Sequence, residues 1–213
     1  MSLKILGAVG AVVIVAIAII AVVGRNSDEA SASDTDGAFV TQMAPHHEAA
    51  IEMAMIAQKR AEHPQIKQLA DDIVAAQTSE IKTLGQIHER LYSEPLSAGD
   101  HGTLGLPDDQ MGMTMDPGTL VDAKPFDVAF IDMMIPHHQG AIRMAQVELD
   151  HGSDQQTKDL ATAVIAAQSK EIEEMNAWRE QWYGAPSPAG GVPSADEMSG
   201  SMDTGNSMDQ MGN

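Results

Sequence analysis

Hydrophobic positions recur every three or four residues over two long segments of the chain, residues 39–92 and 130–183. This spacing is typical of amphipathic helices, and neither segment shows the alternation expected of a half-buried strand. Each segment is interrupted once near its middle, at AEHPQ (61–65) and HGSDQ (151–155). The pattern therefore predicts an all-α protein in which two helical hairpins form a four-helix bundle.

The two segments are copies of one unit. They align without a gap at a constant offset of 91 residues, so that Pro45 corresponds to Pro136 and Tyr92 to Tyr183. An ungapped repeat of this length indicates a duplicated structural unit. Proline inside a helix removes a hydrogen bond and costs about 3 kcal/mol. Because the hydrophobic stripe continues upstream of each proline, we expect the helix to continue through it with a kink.

The hydrophobic pattern and the composition divide the chain into several parts. We expect a transmembrane anchor or signal segment at 1–25, a linker at 26–35, the duplicated bundle at 36–183 with a Met-rich spacer at 93–124, and a disordered Met-rich tail at 184–213. The tail is rich in Gly, Ser and Asp, which cannot form a core.

An uncharged, almost wholly aliphatic run extends from Ile5 to Val23. It is just long enough to cross a bilayer as a helix, which rises about 1.5 Å per residue. A cleaved signal peptide is the alternative, because the tripeptide ASA at 30–32 resembles a cleavage site. Lys4 precedes the run and acidic residues follow it, which predicts an extracytoplasmic main domain in either case.

The composition excludes one class of partner and contains one anomaly. The formal net charge of −19 at pH 7 repels phosphate backbones, which argues against nucleic-acid binding. Methionine is unusually frequent, with 15 residues beside 2 Trp, 2 Tyr and 3 Phe, and there is no cysteine.

Each repeat places two adjacent histidines between methionines, in MAPHHEAAIEM (43–53) and MIPHHQGAIRM (134–144). The histidines lie on the hydrophobic stripes and should face the bundle interior. Buried polar side chains need partners, so a core built only for stability would avoid them. The candidate metal ligands in the two phrases are Met43, His46, His47, Met53, Met134, His137, His138 and Met144.

The hairpin register brings one glutamate to the level of each histidine pair. A hairpin centred near residue 63 places His46 opposite Glu80, and the equivalent register in the second copy places His137 opposite Glu171. A histidine that binds a metal through one nitrogen usually donates its other N–H to a carboxylate or carbonyl. We therefore expect both glutamates to orient histidines from outside the ligand set.

Cu(I) suits this ligand set best. Soft thioethers together with imidazoles select Cu(I), and by similar softness Ag(I). Zinc stays open, because two histidines and Glu80 could serve it. A ferritin-like di-iron site needs Glu-x-x-His, which does not occur at these histidines. The spacer adds Met111, Met113 and Met115 as auxiliary metal ligands, at alternating positions in a stretch that cannot form a core.

The repeats resemble the domain-of-unknown-function family 305, whose members include periplasmic copper-binding proteins with ferritin-like helical bundles. The resemblance covers roughly residues 36–183 and rests on MAPHHEAAIEMA, LADDIVAAQTSEI, FIDMMIPHHQGAIRMA and LATAVIAAQSKEIEEMNAW. It implies a ferritin-like bundle with copper handling at His46, His47, His137, His138 and the neighbouring methionines.

The expected function is copper binding outside the cytoplasm, in which the protein buffers, stores or hands on Cu(I). A copper-transport protein is the candidate partner. A metal-free helical interaction or sensor module is the alternative. A copper or di-metal oxidase is less expected, because the sequence supplies no nucleophile and no phosphate-binding loop, and we therefore expect no enzymatic activity.

Overall fold

The computed structural model describes residues 34–96 and 102–194, together with Glu197. Within these residues the chain forms four α-helices and one short 3-10 helix, and no strand. The predicted anchor or signal segment lies outside the described residues. None of the helices inside them is long and apolar enough to span a membrane.

The helices form two hairpins, as the periodicity predicts. They are α1 (Asp34–Arg60), α2 (Pro64–Tyr92), α3 (Phe126–His151) and α4 (Gln155–Tyr183), with the 3-10 helix at Pro117–Val121. α1 packs mainly on α2, α3 packs mainly on α4, and the hairpins meet chiefly through α1 and α3. The helical bundle is thus confirmed. α1 begins at Asp34, inside the stretch predicted to be a linker, and the repeat itself extends upstream of residue 39.

Two buried aspartates, Asp36 and Asp127, mark this extension of the repeat (36 + 91 = 127). Asp36, in the first turn of α1, accepts hydrogen bonds from two backbone N–H groups in the α3–α4 turn, both at 2.9 Å. Asp127, in the first turn of α3, accepts two from the α1–α2 turn, at 3.0 and 2.9 Å. Each aspartate thereby accepts hydrogen bonds from backbone amides in the turn of the other hairpin, just before its second helix begins.

Buried methionines show how α1 and α3 run relative to each other. Met43 of α1 shares a hydrophobic cluster with Met144 of α3, and Met53 shares a second cluster with Met134. The start of each histidine phrase therefore lies near the end of the other, so α1 and α3 are antiparallel. Both helices continue through their internal prolines, Pro45 and Pro136. Each proline immediately precedes a histidine pair.

The first part of the tail differs from the prediction of disorder, because its carbonyl groups are bound by side-chain amides of the bundle. Gln139 of α3 donates hydrogen bonds to the carbonyls of Ala189 and Gly191, at 2.8 and 2.7 Å. Asn176 of α4 donates one to the carbonyl of Gly190 at 2.8 Å. Val192 packs against the core. The tail prediction was therefore wrong for residues 184–194, and residues 195–213 lie outside the description apart from Glu197.

The spacer also contributes to the core. Leu104 and Leu106 are buried in the cluster that contains Met43, and Leu120 of the 3-10 helix is buried in the cluster that contains Met53. Because these leucines pack against the helices, the spacer runs over the bundle surface and reaches the level of the histidines.

Candidate metal centre

Four buried imidazole rings follow one another through the middle of the bundle. In spatial order they are His47, His46, His137 and His138, and we call them the histidine chain. Their ring centroids are 6.2, 3.8 and 6.4 Å apart in that order. None of the four residues is more than 2% exposed. The central contact, between His46 and His137, joins the two hairpins.

A glutamate stands at each end of the histidine chain. His47 Nε2 lies 2.7 Å from Glu80 Oε2, and His138 Nε2 donates a hydrogen bond to Glu171 Oε2 at 2.6 Å. Both glutamates come from the second helix of the hairpin that holds the histidine, and they are 21% and 17% exposed. The carboxylates therefore connect the buried rings to the protein surface.

This pairing differs by one residue from the predicted register. His46 and His137 were expected to face the glutamates, but His47 and His138 do so. Adjacent residues point about 100° apart around a helix. Because α1 packs on α3 as well as on α2, the first histidine of each pair turns to the opposite hairpin and the second turns to the glutamate.

The backbone carbonyl of Met111 provides a partner that the sequence did not reveal. His46 Nε2 lies 3.0 Å from this oxygen, which can only accept a hydrogen bond, so Nε2 carries the proton. His138 Nε2 likewise donates to a carboxylate, and His47 Nε2 lies beside one. The Nδ1 atoms of all four rings are buried and have no hydrogen-bond partner among the described residues. Four nitrogen lone pairs are therefore left inside the protein.

Burial keeps the two central rings uncharged. The pKa of His46 falls to about 3, chiefly because of burial and also through electrostatic interaction with His47 and His138, whereas the hydrogen bond with the Met111 carbonyl opposes the shift. Burial also lowers the pKa of His137 well below its usual value, with contributions from the other three histidines. Both rings are therefore neutral at pH 7, which is the form that binds metal ions.

The predicted methionine ligands are all buried on the helices that carry the histidines. Met43 and Met144 lie in one cluster, and Met53 and Met134 lie in the other. The second cluster also contains Met175, which was not predicted as a ligand. The repeat matches Met175 with Leu84 (84 + 91 = 175), so one cluster has a thioether that its counterpart lacks.

The auxiliary methionines of the spacer are less buried than the predicted methionine ligands of the helices, and Met111 packs against the cluster that contains Met43 and Met144. Met111 and Met115 are half-buried, and Met113 is 37% exposed. Within the described residues, no three His, Asp or Glu side chains form a group that could hold a metal ion. Imidazole nitrogens and methionine sulfurs are both buried on α1 and α3.

The sequence of the bundle matches a known family. Residues 36–161 and 127–213 each match the family model described as a domain of unknown function, DUF305. The chain belongs to the DUF305 family. The resemblance found in the repeats is thereby confirmed.

Solved structures share the fold. CopM in the Cu(I)-bound form is 36% identical, with a TM-score of 0.61, over 70% of this chain and 98% of that chain. CopM in the Cu(II)-bound form is 35% identical, with a TM-score of 0.61, over 70% and 97%. A DUF305 protein from Streptomyces coelicolor is 26% identical, with a TM-score of 0.61, over 73% and 96%.

One curated relative matches over a shorter stretch. An uncharacterized protein of Acanthamoeba polyphaga mimivirus is 42% identical over 50 residues. This match covers 24% of the present chain and 33% of the viral protein. The likeness to the viral protein is therefore restricted to one part of each chain.

Proposed function

We propose that the protein binds Cu(I), and by the same chemistry Ag(I), at the histidine chain, and that it buffers, stores or hands on the ion. The observation that carries this function is the set of four buried Nδ1 atoms without hydrogen-bond partners. A buried polar atom left unpaired costs about 1–3 kcal/mol. A bundle selected only for stability would not keep four of them side by side.

The protonation of the rings supports the same function. Ring nitrogens that bind metals usually belong to histidines whose other nitrogen donates to a carboxylate or carbonyl. His46 and His138 have this arrangement, with the Met111 carbonyl and with Glu171. His47 has the equivalent contact with Glu80. In His46 and His138 this leaves Nδ1 to bind the ion, and in His47 and His137 both ring nitrogens are without a hydrogen-bond partner among the described residues.

The types of ligand favour a soft ion. Methionine sulfur binds Cu(I) and is a poor ligand for hard cations. Buried Met43, Met53, Met134 and Met144 accompany the histidines on α1 and α3. The two glutamates face histidines, so they act as orienting groups. CopM, which shares the fold, was solved with Cu(I), with Cu(II) and with Ag.

We further propose that the protein is a carrier or store rather than an enzyme. We also propose a location outside the cytoplasm, which the N-terminal sequence supports, with Ile5–Val23 either retained as an anchor or removed as a signal. A copper-transport protein outside the cytoplasm is the kind of partner that would receive or supply the ion.

Thermal unfolding with added metal ions tests this function. An ion that binds only the folded state stabilises it by mass action, by about 2.7 kcal/mol at 100 times its dissociation constant. We expect Ag(I) or Cu(I) to raise the melting temperature clearly and Zn(II) to raise it less. A melting temperature that neither soft ion changes would contradict the proposed function.

A further inference from the structure

A short turn of the spacer, residues 107–113, lies directly against the centre of the histidine chain. Its Met111 carbonyl accepts the hydrogen bond from His46. A Cβ atom built on Gly112 would lie 2.8 Å from the Cα of His137 and 2.8 Å from the carbonyl oxygen of Pro136. The 107–113 turn therefore touches both residues of the central pair, one from each hairpin.

α3 is shaped to receive this turn. A Cβ atom at Gly140 would lie only 1.9 Å from the Met111 carbonyl oxygen and 2.8 Å from the Gly112 nitrogen. The first repeat has Ala49 at the equivalent position (49 + 91 = 140), where no such turn is described. Glycine in a helix interior is unfavourable by about 1 kcal/mol relative to alanine. Its presence here permits the close approach of the two backbones.

The turn separates the central histidines from solvent. His46 and His137 are 0% and 2% exposed, whereas Asp108 and Asp109 on the turn are exposed. The bonds between the turn and the bundle include one that Arg143 donates to the carbonyl of Gln110 at 3.2 Å and the one between His46 and Met111. Surface loops generally open at a lower free-energy cost than the core helices on which they pack.

The 107–113 turn also carries thioethers from the surface towards the histidines. Met113 is 37% exposed, and Met111 is half-buried with its backbone at His46. The acidic side chains of Asp108 and Asp109 attract cations to the same place. Thioethers thus stand at the exposed Met113 and at Met111, whose side chain packs against the cluster that contains Met43 and Met144.

We propose that the 107–113 turn is the access point through which the metal ion reaches and leaves the central histidines, with Met113 and Met111 binding it in passing. This inference rests on the proposed function of the histidine chain. When the turn moves away, it uncovers the His46–His137 pair. It also removes the carbonyl that fixes the His46 ring, so the same motion opens the path and loosens a ligand.

A substitution at the contact tests the access point. Gly140→Ala introduces a methyl group that the Met111 backbone must avoid, so the turn is displaced. Because losing such an orienting partner typically weakens metal binding about 10–100-fold, we expect Cu(I) release to an excess of chromogenic chelator at least about tenfold faster than in the wild type. Gly85→Ala is the matched control, since nothing lies within 4 Å of that Cβ position and release should not change.

A second pair of variants keeps the test decisive if Gly140→Ala folds poorly. Met111→Leu with Met113→Leu keeps the apolar volume and removes both sulfurs, and we expect slower Cu(I) uptake in stopped-flow mixing. Met55→Leu is the control, because Met55 of α1 is 47% exposed and belongs to neither cluster. If Gly140→Ala released Cu(I) at the wild-type rate, or if the double leucine variant took it up at the wild-type rate, the proposed access point would be wrong. The histidine site would be unaffected by either result. A wild-type protein that binds no Cu(I) would overturn the proposed function itself.

Discussion

His46 and His137 pack against each other across the two hairpins, with ring centroids 3.8 Å apart and planes inclined by 37°. They occupy equivalent positions of the repeat (46 + 91 = 137), so the contact lies where the two copies meet. The reciprocal bonds of Asp36 and Asp127 hold the copies in this arrangement. The duplication therefore creates a centre that neither hairpin contains alone.

Because the two rings touch, their contributions to Cu(I) affinity should be coupled. We expect His46→Leu and His137→Leu each to weaken binding strongly, and the double variant to lose less than the sum of the two single losses. Residues in contact commonly show coupling free energies of about 0.5–3 kcal/mol. Competition with a Cu(I) chelator measures the affinities, and His151→Leu, at an exposed position, is the control. Strictly additive losses would indicate two independent sites.

The glutamates at the ends of the histidine chain should affect affinity more than stoichiometry. Glu171→Gln replaces the carboxylate that lies 2.6 Å from His138 Nε2, and Glu80→Gln does the same at His47. We expect Cu(I) affinity to fall about 10–100-fold in either variant, with the same number of ions bound. The exposed Glu52→Gln in α1 should change neither quantity. If the glutamate variants lost Cu(I) as completely as the histidine variants, the carboxylates would have to be ligands.

A buried acid near the reciprocal aspartates should make stability depend on pH. The pKa of Glu148 rises from 4.5 to about 9, chiefly because of burial and also through the hydrogen bond with Asp36 and the charge of Asp36. The folded state therefore binds more protons than the unfolded state between these two values. Stability that is fully present below pH 4.5 is lost as pH rises through about 9.

Glu148→Gln should reduce this dependence, because the amide donates to Asp36 at every pH. We expect the variant to lose less stability than the wild type between pH 6 and pH 9, as measured by chemical denaturation. Glu173→Gln, at an exposed position of α4, should follow the wild type. Equal slopes for wild type and Glu148→Gln would mean that Glu148 is ionised in the fold.

The bonded first part of the tail predicts different results for two truncations. Deletion of residues 195–213 should reduce the total copper bound, because it removes methionines set among Gly, Ser and Asp, and should leave the melting temperature nearly unchanged. Deletion of residues 185–213 should lower the melting temperature as well, because it exposes the surface under Val192 and unpairs Gln139. Equal melting temperatures for the two truncated proteins would show that residues 185–194 do not stabilise the bundle.

Periodicity and repetition in the sequence were enough to predict the hairpins, the buried histidines and the level of the glutamates. They could not predict which histidine of each pair faces its glutamate. The hairpin register gives the position of a residue along the helix axis, but it does not give the direction in which the side chain points around that axis. That direction depends on the packing of α1 on α3. The role of the Met111 carbonyl could not be predicted from the sequence, since every residue has a backbone carbonyl. The replacement of Ala49 by Gly140 at the equivalent position of the second repeat was nevertheless visible in the sequence.

The central claim is that the buried histidines bind Cu(I), and the most direct test is a Cu(I) titration of the full chain against a competing chelator. The comparison protein carries leucine at His46, His47, His137 and His138, which fills the volume without leaving unpaired nitrogens. Circular dichroism checks that it remains helical, and His151→Leu serves as the control. The wild type and the control should hold Cu(I) against the chelator, and the quadruple variant should lose all tight binding. Tight binding of unchanged stoichiometry in a helical quadruple variant would contradict the account.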